Sequence, residues 1–263
     1  MTPVPTDNGP APTVHLDDSD GVLVITINRP KARNAIDGAT AHALADAFDE
    51  LDNRSDLAVG ILTGAGGTFS AGMDLKAFAR GDTPVLPDRG FAGLTRARPK
   101  TPLIAAVEGW AIGGGTEMAL ACDLVVAAKD AVFGLFEVTH GLVPPEGGII
   151  RLTERLPRNI AMELLLTGDQ LPAARAGALG LVNHVTEPGE ALTEAKRLAA
   201  KIAANAPLAV TAIKRTVNER TAYGDQDAFG QQDRTVAPVL ASADALEGAR
   251  AFAEKRRPRW QGR

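Results

Sequence analysis

The chain predicts an α/β protein. Short β-branched or apolar runs alternate with Ala-rich segments of helical spacing through the first two thirds of its 263 residues. Several of the runs lead into glycine-rich turns. The last quarter carries helical signals alone. The strands recur at irregular spacing, which suggests the turns of a spiral more than one long doubly wound sheet.

The elements follow in order. "GVLVITIN" (21–28) is a β-branched run that stops at an Arg-Pro pair, the pattern of a strand. Asp37 is placed to cap a helix in which Ala43, Leu44, Ala47, Phe48 and Leu51 fall on one face. "LAVGILTGAGGTF" is a short strand and a glycine-rich turn. "TPLIAAVEGWAIGGG" repeats that plan, with its strand over 103–107. "CDLVVAAKDAVFGL" supplies two more strands and "LGLVNHVTEPG" another. Helices are expected over 147–156, 158–167 and 172–179, then near 189–204, 207–222 and 226–256. Pro207 marks a helix start and Pro238 a kink or break. Residues 1–13 are Pro-rich and polar and read as a disordered leader. The expected division is leader 1–13, core 14–200 and a helical C-terminal region 201–263.

Composition narrows the function. Aromatic residues are only 4%, so Ala, Val, Leu and Ile must build the core, and the net charge of −4 offers no basic surface for nucleic acid. No apolar run approaches the length of a membrane span. The single cysteine, Cys122, excludes an internal disulfide and fits a reducing, cytoplasmic compartment. None of His15, His42, His140 and His184 has metal-ligand spacing with another His, Cys or Asp, so no metal is expected.

The chemistry concentrates in "EGWAIGGGTEMALACDLVVAA" (108–128). One glycine and an acidic first turn are ordinary at a helix start. Three consecutive glycines, Gly113, Gly114 and Gly115, are not. They let bare backbone N–H groups approach a ligand at a helix N-terminus. A second small-residue loop, "TFSAGMDL" (68–75), is a strand-to-helix turn of the same kind. Two such loops can aim two N–H donors at one oxygen, an oxyanion hole. The glycine spacing does not fit a dinucleotide fingerprint, and the Gly-Lys-Ser/Thr ending of a phosphate loop is absent.

Six segments in order carry a resemblance: "NRPKARNAI" (28–36), "FSAGMDL", "GWAIGGGTEMALACDLVVAA", "FGLFEVTHGLVPPEGG" (133–148), "AMELLLTG" (161–168) and "ALGLVNHV" (178–185). Together they resemble the enoyl-CoA hydratase/isomerase (crotonase) superfamily, over roughly residues 14–263. The resemblance implies a crotonase-like spiral of ββα turns with a helical C-terminal trimerisation region, and a homotrimer or homohexamer. It implies an acyl-CoA substrate, with coenzyme A entering as part of that substrate and no separate cofactor. The backbone N–H groups of Met73 and Gly114 match the oxyanion donors. Glu117 and Glu137 match the two glutamates that flank the α and β carbons in the hydratases, Glu117 activating water and Glu137 delivering a proton to the α carbon. Lys31, Arg33, Lys255 and Arg256 are candidate partners for the CoA phosphates, the last two across a subunit boundary, and the backbone at Ala71 matches the place that receives the adenine.

One departure stands out. Hydratases of the family usually have glycine, whose N–H helps hold the attacking water, where this chain has Pro145, and proline has no N–H. Beside it Glu146 replaces a small residue and adds a third carboxylate near the site. His140, three residues after Glu137, is a further candidate for the pocket. Residues 79–99, read as a mobile loop or short helix, are expected to shape the acyl pocket. The reading is an enoyl-CoA hydratase-type lyase. The alternatives are an enoyl-CoA isomerase, other enolate chemistry on acyl-CoA, and a non-catalytic binding protein. A Ser70–His140 nucleophile pair fits the local sequence worst.

Overall fold

The computed structural model describes residues 12–219 and 225–263. Residues 1–11 of the expected leader lie outside them. Pro12 and Thr13 are described, and their carbonyls accept hydrogen bonds from the side chain and backbone of Asn28.

The strands are β1 (Val14–Ser19), β2 (Val22–Ile27), β3 (Val59–Gly64), β4 (Val85–Leu86), β5 (Gly90–Phe91), β6 (Leu103–Val107), β7 (Trp110–Ile112), β8 (Leu124–Ala128), β9 (Val132–Gly134), β10 (Gln170–Pro172) and β11 (His184–Thr186). Six of them form one sheet in the order β1-β2-β3-β6-β8-β11. It is parallel except for β1, which runs antiparallel to β2. A smaller sheet has the order β10-β9-β7, with β7 parallel to β9 and β10 antiparallel to β9. An isolated bridge between Ser70 and Ala111 carries the stretch after β3 alongside β7. Each turn of chain thus gives one strand to the large sheet and the next to the small one. That is the spiral of an α/β crotonase fold.

The helices are α1 (Gly38–Asn53), α2 (Leu75–Phe78), α3 (Gly114–Ala121), α4 (Gly148–Arg155), α5 (Arg158–Thr167), α6 (Ala173–Ala178), α7 (Ala191–Ala203), α8 (Pro207–Glu219), α9 (Asp225–Leu240) and α10 (Ala243–Ala253). Asp37 caps α1 by accepting from the Thr40 N–H at 2.9 Å. The large sheet is covered on both faces, which is why its parallel strands read as continuous apolar runs. Val24, Val59, Ile61, Ile104 and Val126 pack against Ala191, Ala195 and Ala199 of α7. Leu23, Ile25, Leu62 and Val125 face the main core with Leu44, Phe48 and Leu51 of α1.

Two local expectations are corrected, over 226–256 and over 79–99. Strand β1, "VHLDDS", is mostly exposed and polar, so it lacks the apolar signature of a strand and is held by its ladder to β2. The C-terminal 226–256 segment is two helices. The break falls at Ala241–Ser242, where Ser242 caps α10 by accepting from the Ala245 N–H, while Pro238 lies inside α9. The end of the expected 207–222 helix lies outside the described residues. Within residues 79–99 the chain forms the β4–β5 hairpin instead of a helix, and Leu86, Phe91, Ala92 and Leu94 there are buried in the main core.

Candidate active site

The glycine triplet is needed for three separate reasons. Gly113 has φ 54° and ψ −122°, a conformation costly for any residue with a Cβ. A Cβ on Gly114 would sit 2.5 Å from the Phe91 ring. A Cβ on Gly115 would overlap the Ser70 carbonyl. Gly115 thus allows close packing of α3 against the 69–73 loop, Gly114 allows close approach of Phe91, and Gly113 allows the turn itself. Thr116 adds a fastening, its hydroxyl hydrogen shared between the Ala111 and Gly134 carbonyls at 2.5 and 3.0 Å.

The 69–73 loop is held equally firmly. Ser70 N–H donates to Trp110 O at 2.8 Å, and Ile112 N–H donates to Ser70 O at 3.0 Å. Ile36 N–H donates to Gly72 O and Asp74 N–H donates to Ile36 O, both at 2.8 Å, so the peptides on either side of Met73 are pinned. The two loops meet: a Cβ on Gly72 would lie 3.0 Å from Gly114 N. Among the described residues, the N–H groups of Met73 and Gly114 have no acceptor within reach. Two rigid, unspent donors on touching loops are what an oxyanion hole requires.

Glu117 lies in the first turn of α3 and is only 2% exposed. Its Oε1 accepts from the Glu146 N–H at 2.7 Å and the Gly148 N–H at 2.9 Å. Burial pushes its carboxyl up to about 7, and the charges of Glu137 and Glu146 push the same way, against the two N–H groups. No cation pairs with it, and Oε2 has no hydrogen bond among the described residues. A carboxyl poised near neutrality with one free oxygen can take a proton from water.

Glu137 opens a 3₁₀ turn, Glu137–His140, after β9. Its Oε1 faces the triplet, 3.2 Å from where a Cβ on Gly113 would lie. Its Oε2 is buried with no hydrogen-bond partner. Burial raises its carboxyl above the ordinary range. Both conditions favour the protonated form, that is, a proton donor.

The remaining candidates divide. The His140 ring is exposed, beside the Phe136 carbonyl at 3.3 Å and the Thr139 hydroxyl at 3.0 Å. Ser70 is buried, its hydroxyl donating to Asn34 O and accepting from Gly72 N–H, so no Ser70–His140 pair exists. Pro145 is exposed on the 144–148 turn. Glu146 does not point its carboxylate at Glu117; only its N–H does. The carboxylate is buried against the hairpin, accepting from Phe91 N–H, the Thr95 hydroxyl and Arg96. Phe91 and Arg96 carry no local signal in the sequence, because Glu146 lies 55 and 50 positions away, and Arg151 reaches Thr95 across 56.

Lys31 and Arg33 are exposed on the loop that meets Ala71, whose N–H donates to Arg33 O at 2.9 Å. The Arg33 guanidinium lies 4.8 Å from the centre of the Trp110 ring, which is 45% exposed rather than packed in the core. Lys255 and Arg256 follow α10, where Arg256 is paired with Glu247 and Glu254. Among the described residues no hydrogen bond or ion pair joins them to Lys31, Arg33 or Ala71. No group of three or more His, Cys, Asp or Glu among the described residues is arranged to hold a metal.

The spiral α/β core sets two open backbone donors beside one buried and one half-buried carboxyl, an arrangement able to stabilise an oxyanion. The enoyl-CoA hydratase/isomerase family model matches residues 17–263, and the chain belongs to that family. It is 45% identical over 248 residues to enoyl-CoA hydratase EchA19 of Mycobacterium tuberculosis, covering 92% of this chain and 93% of that one. It is 42% identical over 259 residues to carnitinyl-CoA dehydratase of Proteus mirabilis, covering 95% and 99%. A crystal structure of enoyl-CoA hydratase from Mycobacterium tuberculosis H37Rv superposes with a TM-score of 0.94 at 57% identity, covering 96% of this chain and all of that one.

Proposed function

We propose that this enzyme is an enoyl-CoA hydratase-type lyase, adding water across the double bond of a 2-enoyl-CoA and removing it in reverse. The observation that carries the reading is the pairing of buried Glu117 with half-buried Glu137, both with raised pKa values, beside the free N–H groups of Met73 and Gly114. Two relatives named for opposite directions of this reaction, a hydratase and a dehydratase, support it.

In this mechanism the thioester oxygen is bound by the N–H groups of Met73 and Gly114, which stabilise the enolate as negative charge reaches that oxygen. Glu117 Oε2 accepts a proton from water as the hydroxyl oxygen bonds to the β carbon. Glu137 gives its proton to the α carbon. The two carboxyls exchange roles in the reverse direction. Pro145 supplies no N–H, so the water is positioned by the carboxyls alone. An isomerase needs one carboxyl to move a proton between carbons. The second carboxyl here, anchored by two N–H groups, favours hydration over that alternative, as it does over a non-catalytic binding protein.

Coenzyme A enters as part of the substrate, with Lys31 and Arg33 meeting its phosphates and the backbone at Ala71 its adenine. The chain assembles as a homotrimer or as paired trimers. Exposed Ile213, Val217, Phe229, Leu246 and Phe252 on the C-terminal helices supply apolar surface for that assembly, which also brings Lys255 and Arg256 to a neighbour's CoA. The proposed compartment is cytoplasmic; among the described residues no helix is long and apolar enough to cross a membrane.

The test is a panel of crotonyl-CoA, longer 2-enoyl-CoAs and 3-enoyl-CoAs, followed by loss or gain of the conjugated thioester absorbance. Hydration of 2-enoyl substrates is expected. Conversion of only the 3-enoyl substrates would replace the reading with isomerisation. Glu137→Gln should lose about 10²–10⁴-fold in kcat while still binding a CoA thioester. Gly114→Pro should lose at least about 10²–10³-fold, by deleting one donor and by driving a Cβ against the Phe91 ring.

A further inference from the structure

Glu146 touches both Glu117 and the 91–96 segment. Its backbone N–H holds Glu117 Oε1 at 2.7 Å. Its side chain, 6% exposed as a residue, reaches the other way. There Oε2 accepts from Phe91 N–H at 3.1 Å, the Thr95 hydroxyl at 3.0 Å and Arg96 Nε at 3.1 Å, and Oε1 accepts from Arg96 Nη2 at 2.9 Å. A buried carboxylate with a guanidinium and two further donors is a strong clasp. Arg151 adds a parallel strap between the same segments, donating from Nη1 to Glu146 O at 3.2 Å and from Nη2 to Thr95 O at 2.5 Å.

What the clasp holds is specific. The bonded amide belongs to Phe91, and the Phe91 ring lies against Gly114, the proposed oxyanion donor. Gly90, at φ +71°, has no room for a side chain there, since a Cβ would fall 2.6 Å from Glu146 Oε2. Phe91 is only 3% exposed, so its ring backs the Gly114 backbone that a thioester would meet. Displacing the ring pulls on Glu146, and Glu146 carries one of the two N–H groups that fix Glu117.

We infer that Glu146 is a positioning residue that ties Phe91, whose ring backs Gly114, to the placement of Glu117, so that crowding of Gly114 by the acyl group is registered at the water-activating carboxyl. The inference rests on the hydratase reading above. It extends that reading to substrate selection: discrimination among acyl chains is expressed in kcat, because it acts on the geometry of the base, with the CoA-dominated KM little changed.

The test compares wild type, Glu146→Ala, Glu146→Gln and Arg96→Ala on crotonyl-CoA and 2-decenoyl-CoA. Thermal unfolding is recorded for each, and kinetics are measured well below the midpoint. Glu146→Ala keeps the backbone N–H but loses the clasp. Its kcat on crotonyl-CoA should fall about 10–100-fold with KM nearly constant, as misplacement of a reacting group predicts. Its ratio of kcat/KM for decenoyl- over crotonyl-CoA should shift at least about 3-fold from wild type. Glu146→Gln, which retains an acceptor for Phe91 and Thr95, should recover most of both effects. Loss of thermal stability with kcat and the chain-length ratio unchanged would overturn the inference, leaving Glu146 a structural residue only. If Glu146→Ala does not fold, Arg96→Ala decides. The Arg96 side chain is 60% exposed, and its loss should move both quantities in the same direction by a smaller factor; no movement overturns the inference. A wild type that hydrates neither substrate would remove the hydratase reading itself, a result distinct from active variants with unaltered selectivity.

Discussion

Glu117 and Glu146 are buried carboxyls joined through a single hydrogen bond, and they do opposite work. Glu117 is 2% exposed and Glu146 is 6% exposed, so burial does not separate them. Partners do. Glu117 is met by two backbone N–H groups on one oxygen and by no cation, which leaves desolvation dominant and its carboxyl at about 7. Glu146 is met on Oε2 by Phe91 N–H, Thr95 and Arg96 and on Oε1 by Arg96, so both oxygens are held and a guanidinium balances the charge. A buried acid is a reagent where its donors are incomplete and a fastening where they are complete.

The widest separation between them should appear in turnover. Glu117→Gln keeps the shape and can still accept from both N–H groups, but it cannot take a proton. Its kcat on crotonyl-CoA should fall about 10²–10⁴-fold with thioester binding intact. Glu146→Gln should stay within about 10-fold of wild type. Equal losses in the two variants would erase the distinction between reagent and fastening.

Much of this contrast was legible in the sequence, but only on one side. The triplet, the carboxylate three residues after Gly114 and the second glutamate 20 residues later are local or motif-borne features. So are the β2 run and the Asp37 cap, each set by neighbours within a few positions. The other side was not legible. Glu146 in "VPPEGG" reads only as a third carboxylate near the site, because its four donors come from residues 91–96. The β4–β5 hairpin was missed for the same reason. Its strands are two residues each, and tertiary burial of Leu86 and Phe91 fixes them rather than any alternation. Strand β7, three residues between two glycine turns, is defined by its pairing with β9 on one side and with Ser70 on the other.

Stability against pH gives a second, smaller contrast. The folded-state pKa of Glu117, about 7, lies above the ordinary carboxyl value of 4.5. Between those values the folded state holds a proton that the unfolded state releases. The contribution is therefore fully present below about 4.5 and is lost as pH rises through about 7. Relative to wild type, Glu117→Gln should gain stability across that window, reaching on the order of 3 kcal/mol at pH 8. Chemical denaturation at pH 5 and pH 8 measures the difference. A pH-independent offset between the two proteins would mean that Glu117 titrates as an ordinary surface carboxyl, and would end its role as a base poised near neutrality.

The smallest expected effect concerns how complete the donor set of Glu146 is. Thr95 is 1% exposed, and its hydroxyl is one of three donors to Glu146 Oε2. Thr95→Val replaces the hydroxyl with a methyl of similar size, so packing is conserved and one hydrogen bond to a charged group is lost. The cost should be about 1.5–3 kcal/mol of unfolding free energy at neutral pH. Because Phe91 N–H and Arg96 remain on the same oxygen, the clasp should hold and kcat should change less than about 3-fold. A large fall in kcat without a fall in stability would show that the Glu146 carboxylate itself acts on the reaction. The two acids would then differ in degree and not in kind, and the reason for burying them side by side would have to be sought in the chemistry rather than in the hairpin.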